Sequence, residues 1–133
     1  MKKLLAILVL ITLCGCSGTQ IRELFLPMSL YDFKDAKEKY ASTLEAEPSD
    51  CFERITDILQ GMQAQVIYSD PKEFFLVANR FDKSYRLCID TTQVGMLITP
   101  TEENKIRLEV TSGDYDLAKF VSVELAGKLQ EKK

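Results

Sequence analysis

From residue 64 to residue 112 the chain is cut into five short apolar segments: 64–69 (AQVIYS), 73–81 (EFFLVANRF), 85–91 (YRLCIDT), 93–100 (QVGMLITP) and 105–112 (KIRLEVTS). Turn residues separate most of them, at Ser69-Asp70-Pro71, Asp82-Lys83 and Glu102-Glu103-Asn104. Segments this short, rich in β-branched and aromatic residues, read as strands rather than helices. The last one alternates cleanly. Ile106, Leu108 and Val110 face one way, and Lys105, Arg107, Glu109 and Thr111 face the other. Val94, Met96 and Ile98 extend the apolar side one strand earlier. Such a pattern predicts an antiparallel sheet with one dry and one wet face.

The dry face needs a cover, and two helical patterns supply it. Phe52, Ile55, Leu59 and Met62 repeat at helical spacing with Ile58 beside them, and Gly61 marks the end of the helix. Ser49 or Asp50 is the expected cap, with Glu53 completing a capping box after Asp50. A second helix is expected from about Tyr115 to Gln130. Leu117, Val121, Leu125 and Leu129 form its i, i+4 stripe, and Ser112-Gly113-Asp114 turns into it. Ahead of the first helix, Tyr40, Ser42, Leu44 and Ala46 fall on one side of a strand over 40–47 that ends at Pro48. The predicted order is β-α-β-β-β-β-β-α. It describes an α+β fold with an antiparallel sheet of about five or six strands and two helices on one face.

The beginning of the chain is of another kind. Lys2 and Lys3 precede an apolar run from Leu4 to Leu13. That run is about half the roughly twenty residues a bilayer-spanning helix needs, and it has the build of a secretory signal peptide. Leu13-Cys14-Gly15-Cys16 follows. This stretch resembles the lipobox of bacterial lipoproteins, with Cys14 in the position where Ala or Ser is commoner. The resemblance implies cleavage after Gly15, removal of residues 1–15, and a diacylglycerol thioether on Cys16. Two or three acyl chains give a stable membrane anchor. Ser17, where an Asp would signal retention at the inner membrane, implies an outer-membrane anchor facing the periplasm.

Residues 16–39 would then form a lipid-anchored tether and 40–133 the globular domain. The tether is only partly polar. Leu24, Phe25, Leu26, Met28 and Leu30 are too apolar for a free linker, and Pro27 among them opposes a continuous helix. They are expected to pack back on the domain, or else to dock a partner. Residues 31–39 (YDFKDAKEK) read as a short charged helix or turn.

The implied compartment permits disulfides. After processing, Cys51 and Cys88 are the two thiols left in the domain. They form either a bridge pinning helix to sheet or two buried thiols that behave as small hydrophobes. The order of elements over roughly 40–130 is also similar to the helix-grip modules of the outer-membrane assembly lipoprotein BamC, and to small bacterial lipoproteins of the helix–meander–helix kind. It carries no residue motif, and so no site residue follows from it.

Composition narrows the chemistry. The chain has no His, which excludes Ser-His and Cys-His nucleophiles and any His-ligated metal. Two thiolates alone do not fill a zinc site, the six glycines form no phosphate loop, and no cofactor is expected. Without residues 1–15, which carry Lys2 and Lys3, 15 basic side chains face 20 acidic ones, a net charge of −5. That balance argues against a nucleic-acid partner, which needs a basic face. Among the carboxylates, Glu102-Glu103 and the pair Asp114 and Asp116 could be imagined as acid/base pairs or calcium ligands, but they sit where a hairpin turn and a helix start want acids. Phe74, Phe75 and Phe81 are expected in the core, and Tyr68 and Tyr85 on the wet face. An enzyme is not expected. The inventory points to a lipid-anchored periplasmic module that binds an envelope protein. The alternatives are a small carrier of a lipid or other apolar ligand, and an inhibitor of a hydrolase.

Overall fold

The computed structural model describes residues 26–81 and 93–131. Its elements are α1 (Leu30–Asp35), β1 (Tyr40–Glu45), α2 (Pro48–Gly61), β2 (Gln65–Asp70), β3 (Phe75–Asn79), β4 (Val94–Glu102), β5 (Lys105–Ser112) and α3 (Tyr115–Gln130). The strands form one open antiparallel sheet in the order β1-β5-β4-β3-β2. The architecture is α+β, as the apolar patterning requires. The strand expected over 85–91, with Cys88 and Tyr85 in it, lies outside the described residues.

Alternation places each side chain. Leu76, Ala78, Val94, Met96, Ile98, Ile106, Leu108 and Val110 point to one face, where Cys51, Ile55 and Leu59 of α2 and Leu117, Val121 and Leu125 of α3 close the main core. The β4–β5 turn falls at Glu103-Asn104, where Asn104 takes φ 57°, a left-handed conformation that Asn tolerates better than most residues. Asp70 makes the preceding expected turn by accepting from the amides of Lys72 and Glu73 at 3.0 and 3.3 Å. Asp114 caps α3, accepting from the Leu117 amide at 3.1 Å.

Two expectations need correction. α2 is capped neither by Ser49 nor by Asp50. Its N-cap is Glu47, which makes no side-chain cap bond, and Pro48 is inside the first turn. Proline is at home there because its missing N–H would have been unpaired anyway and its φ is already helical. The second correction concerns the wet face. Phe75 and Val77 are buried on the side away from α2 and α3, and Phe33 of α1 joins them, with Met28, Leu30, Ile67 and Leu97 packed around. Residues 26–39 therefore form a strap that dries part of the second face. A bulge between Val66 and Tyr68 sets Tyr68 opposite Val77 and brings its ring to 6.0 Å from Phe75. Tyr68 lands on the strap face for that reason.

Candidate functional site: a clamped strap and an open sheet edge

Ser29 starts the strap helix. Its hydroxyl accepts from the Asp32 amide at 3.1 Å while the Asp32 carboxylate accepts from the Ser29 amide, a reciprocal capping box. The signal for it, Ser-x-x-Asp before an apolar Phe33, is present in the sequence but short. Phe33 then turns inward and meets Phe75 edge-on, with ring centroids 5.5 Å apart. Lys39 closes the helix from the other end. Its ammonium donates to the Lys34 carbonyl at 2.9 Å and lies 5.4 Å from the centre of the Phe33 ring.

Gln93 clamps the strap ahead of that helix. Its side chain is buried, and its carboxamide behaves like one more stretch of strand. The oxygen accepts from the Met28 amide at 2.6 Å and the nitrogen donates to the Leu26 carbonyl at 2.8 Å. The backbone oxygen of Gln93 accepts from Ser112 Oγ at 2.7 Å, tying the clamp to β5. Beyond the helix, Thr111 Oγ1 donates to the Glu38 carbonyl at 2.6 Å. The strap is thus fastened to Gln93, just ahead of β4, at one end and to Thr111 of β5 at the other before β1 begins.

β1 lies at one edge of the sheet. Among the described residues β1 pairs with β5 alone. Beside it runs an open groove of about 580 Å³, lined by Thr43, Leu44, Glu45, Asp50 and Arg54 and by residues 129–131. Arg54, one of the residues lining it, holds the end of α3. The guanidinium donates to the carbonyls of Leu129, Lys128 and Glu131 at 3.2, 3.2 and 3.3 Å. Those are carbonyls that a helix end leaves unpaired, and a cation there complements the dipole.

The residues singled out in the sequence fare as follows. Cys16 lies outside the described residues. Cys51 is a fully buried thiol at the start of α2, and the position of Cys88 is not described. Burial pushes the Cys51 thiol up to about 11, with Asp50 adding to the shift and Arg54 opposing it. Glu102 pairs with Lys105 at 3.3 Å on the exposed hairpin, and Asp114 is occupied as a helix cap. Phe75 and Phe81 are buried and Phe74 packs against the main core. Tyr40 and Tyr115 escaped notice in the sequence. Their rings pack 5.2 Å apart where β1 and α3 begin. The Tyr40 hydroxyl is occluded without a hydrogen bond of good geometry, and burial first and the Tyr115 hydroxyl second push its pKa up to about 12. Among the described residues no group of three His, Cys, Asp or Glu is placed to hold a metal ion, and no helix is long and apolar enough to cross a membrane.

No protein-family model matches the chain, and no curated protein matches it. Among solved structures, a DUF4468 family protein from Bacteroides ovatus is similar over 54% of this chain and 51% of that one, at 13% identity and a TM-score of 0.29. This chain therefore spans about half the length of that neighbour, and a superposition so partial assigns neither a family nor a role.

Proposed function

We propose that the protein is an envelope lipoprotein with a non-enzymatic domain, held to the periplasmic side of the outer membrane through a lipid on Cys16. The domain binds a partner protein that adds an extended segment to the edge of β1. The observation that carries this reading is the outer edge of β1, which has no pairing strand among the described residues and lies along an open groove. An edge strand offers a row of unpaired N–H and C=O groups, and a neighbouring groove gives alternate side chains of the incoming segment a place to rest. The groove is walled by Thr43, Glu45, Asp50 and Arg54, a lining that suits a polypeptide better than an apolar ligand.

Two measurements test the proposal. The mass of the N-terminal peptide of the native protein reads the anchor; a free amino end at Met1 or an unmodified sulfur at Cys16 overturns it. A photo-crosslinking residue at Thr43 reads the edge in intact envelopes. It should capture a discrete protein, while the same probe at exposed Lys119 on α3 should not. Equal capture at both positions, or none at Thr43, counts against the edge.

A further inference from the structure

The strap fixes where the described chain begins on the domain. Leu26 is held through its carbonyl by Gln93, whose side chain shares the strap face with the Gly95 site, and the packed residues Met28 and Phe33 keep the following chain on that face. Leu26 lies ten positions beyond Cys16. Fully extended, that stretch spans at most about 35 Å.

The domain is of similar size. A chain of its length has a radius of gyration of about 13 Å, which corresponds to a sphere of roughly 17 Å radius. With the strap face turned away from the membrane, the tether would have to pass over the domain's flank and down its side, a path of about 45 Å. That exceeds the full reach of the ten residues. The strap face also carries the right surface for the short-range contact that remains. Leu26 is 57% exposed and Tyr31 76% exposed beside the exit, and Tyr68 is 43% exposed on the same face. Tyrosine is the side chain that settles with its ring among lipid headgroups and its hydroxyl in water.

We infer that the strap face, marked by Leu26, Tyr31 and Tyr68, is the surface the anchored domain presents to the lipid bilayer, so that α2, α3 and the groove beside β1 face away from it or sideways. This inference rests on the lipid anchor at Cys16. The strap is then an orienting device, because it ties the chain that leads to Cys16 to one face of the domain.

Hydroxyl-radical footprinting of the acylated full-length protein tests it, on phosphatidylethanolamine/phosphatidylglycerol vesicles and in dilute detergent. On vesicles Tyr31 and Tyr68 should lose most of their oxidation, while Tyr115 and Val123 on α3 should react equally in both settings. Protection of Tyr115 and Val123, or no difference between the faces, overturns the orientation while leaving the anchor standing. The same digests report the mass at Cys16, and an unacylated sulfur overturns the anchor and the orientation together. Inserting about twenty-five Gly/Ser residues between Gly18 and Thr19 lifts the tether's reach to roughly 120 Å. Tyr31 should then regain its reactivity, and persistent protection would overturn the leash argument.

Discussion

Phe33 stands where a side chain at position 95 would have to go: a Cβ on Gly95 would lie 2.8 Å from Phe33 Cδ2 and 2.8 Å from Met28 Sδ. The glycine is therefore a socket. It lets an aromatic ring from the strap reach Phe75 and Val77 through the sheet's second face, which a meander of this kind would otherwise leave wet.

Filling the socket should release the strap. Gly95→Val is expected to destabilise the domain by about 1–3 kcal/mol, the usual cost of overpacking. Limited proteolysis should then cut within residues 26–39 first, with α2 and α3 still intact. Denaturant unfolding gives the magnitude; an unchanged midpoint with an uncut strap would show that the ring can relocate freely.

Gln93→Leu removes the clamp chemically while keeping volume. The Met28 amide and the Leu26 carbonyl lose their partner, and each group left buried and unpaired costs about 1–3 kcal/mol unless water reaches it. Amide exchange at Met28 should accelerate strongly while exchange in β5 stays slow. Equal acceleration in both would mean that the clamp holds the whole sheet and not the strap alone.

Arg54→Ala should fray α3 from its C-terminal end. Three carbonyls lose a charged donor, and hydrogen bonds to charged groups contribute about 1.5–3 kcal/mol in favourable burial, less at this partly exposed site. Faster amide exchange over residues 126–131, with the N-terminal turn of α3 unaffected behind its Asp114 cap, is the expected signature. Arg54→Lys should rescue it only in part, since one ammonium cannot reach three carbonyls as a planar fork does.

Alkaline pH should weaken the fold through two groups. Cys51 is raised from 9.0 to about 11 and Tyr40 from 10.0 to about 12, in both cases because burial disfavours the charged form. Each contribution is fully present below the unfolded-state value and is lost as pH rises through the folded one. Stability of the reduced protein should accordingly fall from about pH 9 to pH 12, tracked by thermal unfolding. At pH 8 the folded Cys51 should resist iodoacetamide and react on unfolding; rapid alkylation in the native state would contradict its burial.

Much of the fold was legible because burial on one face imposes a period. The alternation in 105–112 placed Ile106, Leu108 and Val110 in the core, and the spacing of Leu117, Val121, Leu125 and Leu129 placed α3. The start of α2 was misplaced by two to three residues, since Ser49 and Asp50 after Pro48 have the look of caps while the N-cap position falls on Glu47, which makes no side-chain cap bond. Tyr68 could be put on the second face only by chance: the bulge that aims it costs one unpaired residue and has no side-chain signature of its own.

Residue order by itself determined the sheet, its helical cover and the absence of histidine chemistry, because hydrophobic period and residue type are local properties of the chain. Tertiary structure decided the rest. That Gln93 grips residues 26–28, that Gly95 admits Phe33, and that Arg54 holds the end of α3 are pairings across 65 or more, 62 and 74 or more positions. Such contacts are set by which strands become neighbours, and nothing in a short stretch of sequence encodes a neighbour so distant.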